Sequence, residues 1–309
     1  MVISEREEKP YMYFTNYHQP LSGWAFDRQK MALTLDMPAE NPPFPIESFR
    51  VFYKAHNRKN AAIWIVKHKD TQLNRNTPVY LYGYGGFRIN IKPGYVKQYL
   101  PWLKRGGVIA VATLPGGLEM GEKWHRAGAL ENKGNVFKDF SSAAKTLFQL
   151  GYTRRGRLAI GGGSNGGLLV AATVNRYPKL FKAAVPEVGV LDMTSFELYT
   201  GGKWWMSEYG SRNNAAQFMN LMAVSPYHNI RNQKYPDILT MTADLDDRVV
   251  PSHSYKYVAR LQSWNFPGQI SLLYTKRDGS HSSRSGTIEA QADYLATKWS
   301  FMMSSLNLN

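Results

Sequence analysis

The chain has 309 residues, of which 43% are hydrophobic, so it can form one large α/β domain or two smaller ones around a substantial core. It contains no cysteine, which excludes disulfides, thiolate catalysis and cysteine-ligated metals. The first nine residues are too charged for a secretory signal peptide, and no run of about 18 apolar residues predicts a membrane span. We therefore expect a cytoplasmic protein with no membrane partner.

The formal net charge of +15 could indicate an affinity for nucleic acid or another acidic surface. The lysines and arginines are scattered along the chain, however, and no block of five or six cations occurs. A basic tail that binds nucleic acid usually contains such a block. We interpret the charge as a solvated basic surface and expect no nucleic-acid partner.

The first half of the chain reads as a series of short strands. Residues 11–30 mix aromatic and polar side chains and predict one or two strands, and a proline-rich linker follows at 38–45. Short apolar or alternating runs bounded by turn residues predict further strands at Phe49–Tyr53, Ala61–Lys67, Pro78–Tyr84 and Gly107–Ala112.

From residue 136 onward, helices and strands alternate. Helical spacing of apolar residues predicts helices at Val136–Gly151, Leu168–Val174, Ser252–Trp264 and Gly286–Leu306. The strands between them are predicted at 157–161, Phe181–Val190, Asp237–Thr242 and Ile270–Thr275. This order predicts a mostly parallel twisted sheet with helices on both faces, in which ligands bind beyond the carboxyl ends of the strands.

A G-x-S-x-G pattern occupies residues 162–166, between a predicted strand and a predicted helix. A sharp strand-to-helix turn of this kind strains the serine backbone and exposes the hydroxyl above the sheet. Glycines are needed on both sides because larger side chains would clash in so tight a turn. The amides that begin the helix favour negative charge close to the hydroxyl. Ser164 is therefore a candidate nucleophile.

A serine hydroxyl needs a histidine base, and the histidine needs a carboxylate partner. His281 follows the last predicted strand, and Asp244, Asp246 and Asp247 follow the strand before it, which gives the order serine, acid, histidine. Position alone does not choose among the three aspartates. The other six histidines have no such placement and are interpreted as structural or solvated.

The glycine-rich stretch Tyr82–Phe87 follows an early strand, where a hydrolase needs a second oxyanion donor beside the amide of Asn165. The hydroxyl of Tyr84 could supply that donor. The alternative is an ordinary glycine-rich turn with tyrosines in the core.

The same glycines also allow a dinucleotide-binding interpretation. Gly161, Gly163 and Gly166 satisfy G-x-G-x-x-G, and Glu187 follows about 20 residues later, as a ribose-binding carboxylate would. That fingerprint normally belongs to the first βαβ unit of its domain, whereas several predicted strands come before it here. The interpretation also leaves the aspartate and histidine loops without a role.

Together the motifs resemble one family, the prolyl oligopeptidases, which are serine peptidases of the α/β-hydrolase fold. The stretches that carry the resemblance are YGYGGF at 82–87, GGGSNGGLL at 161–169, VGVLDM at 188–193, TADLDDRVVP at 242–251 and GSH at 279–281. The resemblance covers 47–309, which we expect to be an α/β-hydrolase catalytic domain. It implies that 1–46 is a short β extension, similar to a remnant of the segments that flank the family's β-propeller, and that most of the propeller is missing.

The resemblance implies that Ser164 is the nucleophile, Asp246 the triad acid and His281 the base. It also implies that the Tyr84 hydroxyl and the Asn165 amide form the oxyanion hole.

Substrate binding follows from the same resemblance. Arg248 matches an arginine that hydrogen-bonds a substrate carbonyl, a contact that suits the guanidinium fork. Flat apolar walls can hold a proline ring. The proline pocket that the family implies maps onto Phe87, Val190, Trp205, Tyr209 and Val249.

We therefore expect a serine peptidase that cleaves on the carboxyl side of proline in peptides through an acyl-enzyme, with no metal or cofactor. Two alternatives stay open. One is a related hydrolase of other specificity, such as an acylaminoacyl peptidase or an esterase. The other is an inactive hydrolase-like fragment that serves as a binding module.

Overall fold

The computed structural model describes residues 2–6, 9–264, 266–282 and 285–308. The strands are β1 (Val2–Arg6), β2 (Lys9–Phe14), β3 (Ser22–Asp27), β4 (Ala32–Met37), β5 (Ile46–Lys54), β6 (Asn60–His68), β7 (Val79–Tyr82), β8 (Val108–Ala112), β9 (Leu158–Gly163), β10 (Ala183–Glu187), β11 (Asp237–Ala243) and β12 (Ser271–Lys276). The α-helices are α1 (Leu100–Lys104), α2 (Glu122–Arg126), α3 (Lys133–Gln149), α4 (Asn165–Arg176), α5 (Met206–Tyr209), α6 (Ala215–Val224), α7 (Ser252–Ser263) and α8 (Ile288–Leu306).

These strands form two sheets. The larger sheet has eight strands in the order β12-β11-β10-β9-β7-β8-β6-β5, and the smaller has four in the order β1-β2-β3-β4. In the larger sheet β7 to β12 run parallel to one another, while β5 and β6 pair antiparallel at one edge. The predicted, mostly parallel sheet is confirmed.

The central strands are buried because helices cover both faces of the larger sheet. Every residue of β8 and β11 is buried, as expected of apolar strands packed on two sides. Successive residues alternate between the faces. Leu81 and Ile160 join a core cluster with α3 and α4, whereas Tyr80 and Ala159 join a cluster with α8 on the opposite face. The predicted helices on both faces are therefore confirmed.

The smaller sheet belongs to the predicted N-terminal extension and is attached to the larger sheet through the loop after β2. The ring of Tyr17 packs 5.6 Å from that of Trp64, and the Tyr95 amide donates to Thr15 Oγ1 over 3.2 Å. Every residue of β4, by contrast, is exposed. The proline-rich segment at 38–45 contains no helix or strand, in line with the predicted linker.

Six elements were not predicted: α1, α2, α5, α6, β1 and β4. Three of the helices have only four or five residues, so apolar spacing cannot complete two turns and gives no periodic signal. Among the helices that the structure describes, none combines the length and the hydropathy needed to cross a lipid bilayer.

Candidate active site

Ser164 lies at a sharp turn between β9 and α4. Its backbone has φ +60° and ψ −119°, a conformation that residues other than glycine rarely adopt. Its amide donates to the carbonyl oxygen of Glu187 over 2.8 Å. A Cβ atom at Gly162 would lie 2.7 Å from the carbonyl oxygen of Gly83, and one at Gly166 would lie 2.8 Å from the same oxygen. Since backbone atoms cannot move aside cheaply, glycine is required at both positions.

The hydroxyl of Tyr84 lies beside this turn and interacts with the side chain of Ser164. Burial raises the pKa of Tyr84 above its ordinary value, opposed by the interaction with Ser164 and by the charge of Arg248. The tyrosine therefore stays protonated and able to donate near neutral pH. Asn165 fixes the same loop, because its Nδ2 donates to the Tyr84 carbonyl oxygen over 2.6 Å.

The structure distinguishes Asp246 from the two other aspartates that sequence position left open, because Asp244 and Asp247 are exposed. Asp246 is buried, and its Oδ2 lies 2.8 Å from Nδ1 of His281. Its other oxygen accepts hydrogen bonds from the backbone amides of Arg248 and Val249 at 3.0 and 2.8 Å. Asp244 instead accepts from the Gly279 amide.

Ser164 and His281 line one cavity of about 600 Å³. The cavity also touches Glu187, whose carboxylate is engaged by Tyr294 at 2.9 Å and by Lys298 at 2.5 Å. The Glu187 carboxylate thus binds two side chains of α8, and the dinucleotide interpretation loses the carboxylate that it requires. The predicted nucleophile and base therefore face one cavity, which the five residues of the predicted proline pocket do not line.

The five residues of the predicted pocket belong to one apolar cluster. The rings of Phe87 and Tyr209 pack edge to face with centroids 5.3 Å apart, and Phe196 bridges Tyr209 to Trp205 at 5.3 and 6.3 Å. Trp204 is 75% exposed, whereas its neighbour Trp205 packs against the core. Val190 and Val249 are both buried, and Arg248 is exposed at the surface.

Sequence reasoning missed a buried charged group next to this cluster. His125 is buried, and its Nε2 lies 2.9 Å from Glu208 Oε2, while Lys133 Nζ lies 3.0 Å from Glu208 Oε1. The lysine and the glutamate are 75 residues apart in the sequence, so no local pattern links them. No sequence signal marked them, because Lys133 precedes the predicted start of its helix at residue 136 and α5 is too short to show an apolar period.

Comparison with known proteins gives a consistent result. A model of the prolyl oligopeptidase family, Peptidase_S9, matches residues 95–309. Prolyl oligopeptidase A of Amanita bisporigera is 38% identical over the whole chain, and a prolyl endopeptidase of Elizabethkingia miricola is 39% identical over 92% of it. The chain spans only 42% and 41% of the lengths of these two relatives.

Solved structures match the fold over nearly the whole chain. A prolyl endopeptidase, solved in work on inter-domain dynamics in catalysis and specificity, superposes with a TM-score of 0.94 at 37% identity, covering 99% of this chain and 46% of the other. Prolyl oligopeptidase B from Galerina marginata, bound to a 25mer macrocyclization substrate, superposes with a TM-score of 0.93 at 32% identity, covering 100% of this chain and 44% of the other. The larger sheet and its helices therefore form an α/β-hydrolase fold.

Proposed function

Because the chain belongs to the prolyl oligopeptidase family, we propose that it is a serine peptidase that hydrolyses peptide bonds on the carboxyl side of proline in oligopeptides. The names of its relatives support this activity, as does a related structure that holds a peptide substrate. The observation that carries the proposal is the 2.8 Å contact between His281 and the buried Asp246, on a cavity that Ser164 also lines.

In this mechanism the hydroxyl oxygen of Ser164 attacks the carbonyl carbon of the proline residue while His281 takes the hydroxyl proton. Asp246 accepts the Nδ1 hydrogen of His281, so Nε2 is the nitrogen that receives the proton, and the carboxylate stabilises the resulting imidazolium. The carbon–nitrogen bond then breaks as His281 protonates the leaving amine. Water, deprotonated by His281, attacks the acyl-serine ester and releases the acid with its carboxyl-terminal proline.

Developing negative charge on the carbonyl oxygen is stabilised by the Tyr84 hydroxyl and the Asn165 amide. Donors set in place before the reaction lower the barrier because they do not reorganise during it. Arg248 donates to a substrate carbonyl on the acyl side of the bond. The proline ring packs against Phe87, Val190, Trp205, Tyr209 and Val249.

The proposed chemistry uses side chains and backbone amides alone and needs no metal or cofactor. Residues 47–309 form the catalytic domain in this proposal, and 1–46 form an extension that packs on it. Support for this division comes from the two sheets, which share no strand, and from β5, which begins at Ile46. A cytoplasmic location stays a prediction from the sequence.

The test combines covalent labelling with peptide hydrolysis. Wild-type protein should react with a fluorophosphonate probe and should cleave a proline peptide amide faster than the matching alanine or arginine amides. Ser164→Ala should abolish both labelling and cleavage. Ser263→Ala, which removes an exposed serine on α7, is the control and should leave both unchanged. Full labelling of Ser164→Ala would refute the assignment of the nucleophile, and a preference for alanine would refute the proline pocket.

A further inference from the structure

A buried ion pair lies behind the proposed proline pocket and takes no direct part in the mechanism above. The side chains of Lys133 and Glu208 are only 2% and 3% exposed, and His125 completes the group. We call His125, Lys133 and Glu208 the anchor cluster. Removing two charges from water is costly, and apolar residues of similar volume often serve a core as well or better. Core stability alone therefore does not account for this cluster.

The anchor cluster holds the backbone of the loop that runs from Tyr84 to Phe87. Lys133 Nζ donates to the carbonyl oxygen of Gly85 over 3.0 Å. Burial works against ionisation of Glu208, but Lys133, His125 and a hydrogen bond from the Phe87 amide outweigh it and hold the pKa of Glu208 below its ordinary value. Burial also lowers the pKa of Lys133, opposed by the charge of Glu208.

The loop needs such support because its conformation is strained. Gly85 has φ +65°, which glycine adopts freely, whereas Phe87 has φ +56°, a conformation that is uncommon and strained for a bulky side chain. A conformation of this kind persists only when its surroundings hold it in place. The contacts to the Gly85 carbonyl and the Phe87 amide act on these two residues.

The loop connects the proposed oxyanion donor at one end with the wall of the proposed proline pocket at the other. Its first residue, Tyr84, contacts Ser164 through its hydroxyl, and its last residue, Phe87, packs on Tyr209 in the pocket cluster. Lys133 Nζ also lies 5.2 Å from the centroid of the Tyr209 ring. A shift of the loop would therefore move the oxyanion donor and the pocket wall together.

We propose that the anchor cluster consists of positioning residues, which hold loop 84–87 in its strained conformation so that the Tyr84 hydroxyl and the Phe87 ring are in place before substrate binds. The inference rests on the proposed peptidase function for its effect on catalysis, whereas the fixed loop conformation is a property of the folded chain. Loss of the cluster lowers the turnover number more than it raises KM, since the oxyanion donor acts mainly in the transition state.

The test separates positioning from core stability with a charge-free double variant. Lys133→Met and Glu208→Gln each leave a buried group without its partner and should lower stability. The double variant Lys133→Met/Glu208→Leu leaves no buried charge of the pair unmatched and should recover part of that stability, although the Gly85 carbonyl and His125 still lose a partner. The control is Lys182→Met/Asp237→Leu, which removes a 2.7 Å ion pair at the amino ends of β10 and β11, on the edge of the sheet opposite the site.

Three quantities are measured on each protein: the urea midpoint of unfolding, hydrogen–deuterium exchange of the 84–88 peptide, and kcat and KM on a proline peptide amide. In the anchor double variant we expect faster exchange at 84–88 and a kcat lowered roughly 10- to 100-fold, because a misplacement of about 1 Å can cost 10²-fold. The control pair should change neither quantity.

Recovery of stability, exchange protection and kcat together in the anchor double variant would overturn the inference, because the pair would then serve stability alone. If wild-type protein neither labels nor cleaves, the proposed peptidase function fails, while the exchange comparison still decides whether the anchor cluster holds the loop. Unchanged exchange at 84–88 contradicts the inference in either case.

Discussion

Ser164 and His281 face the same cavity, but the surrounding chain holds them by different means. Ser164 lies in a turn between a buried strand and a buried helix. The turn has no room for a side chain at Gly162 or Gly166. His281 lies in the loop after β12, and the side-chain contact described for it is the one to Asp246. Backbone packing therefore sets the position of the serine, whereas a carboxylate–imidazole contact sets that of the histidine.

This difference has a general consequence for mutations. Changes on the serine side disturb packing and should alter stability together with activity. Changes on the histidine side should alter activity and leave stability almost unaffected. The predictions below test the contrast, beginning with the largest expected effect.

Asp246→Asn should separate activity from stability most clearly. The asparagine keeps an oxygen that can accept from the amides of Arg248 and Val249, but it no longer fixes the Nδ1 hydrogen of His281. We expect kcat to fall by about 10⁴-fold, as in other triads that lose the carboxylate. The thermal midpoint should stay close to the wild-type value. A large drop in the midpoint would show that Asp246 also serves the fold.

The control for this variant is Asp244→Asn. Asp244 accepts a hydrogen bond from the Gly279 amide in the same pair of loops, and its side chain is exposed. It should retain near wild-type turnover. If the two variants lost equal activity, the assignment of the triad acid would be wrong.

Tyr84→Phe tests the serine side with a smaller change. The phenyl ring keeps the packing of the loop and removes only the hydroxyl that contacts Ser164. Loss of one oxyanion donor typically lowers kcat by about 10²–10³-fold, with a smaller effect on KM. Steady-state kinetics on a proline peptide amide measures both. A rise in KM with kcat unchanged would instead give the hydroxyl a role in ground-state binding.

The sequence predicts those parts of the molecule whose signals are local. Continuous apolar runs identify β8 and β11, and G-x-S-x-G identifies the turn at Ser164, because each pattern lies within a dozen residues. Asp246 could not be separated from Asp244 and Asp247 by position, since the distinction depends on which side chain reaches a histidine 35 residues later. The resemblance to a known family supplied that choice.

The anchor cluster marks a second limit of sequence reasoning. Its members come from α2, α3 and α5, and two of these helices are too short for apolar periodicity to predict them. An apolar composition does not by itself make a core strand, because β4 contains two leucines and a methionine and yet every one of its residues is exposed. Burial depends on what packs against a strand, which the strand's own sequence does not contain.

The smallest effect is expected from a matched pair of variants, each of which removes a tyrosine hydroxyl that is hydrogen-bonded to an asparagine of α4. Tyr209 donates to Oδ1 of Asn165 over 3.0 Å at the start of this helix, and Tyr257 donates to Oδ1 of Asn175 over 3.3 Å near its end. Both tyrosines are buried, so Tyr209→Phe and Tyr257→Phe should each lower the free energy of unfolding by about 1–3 kcal/mol through an unsatisfied asparagine oxygen. Only Tyr209→Phe should also lower kcat, by a few-fold, because Asn165 then holds the Tyr84 carbonyl less firmly.

Urea unfolding and steady-state kinetics on both variants measure the two effects. Equal losses of kcat would mean that the helix transmits the disturbance along its length, and the contrast between the serine side and the histidine side would then have to include the whole of α4.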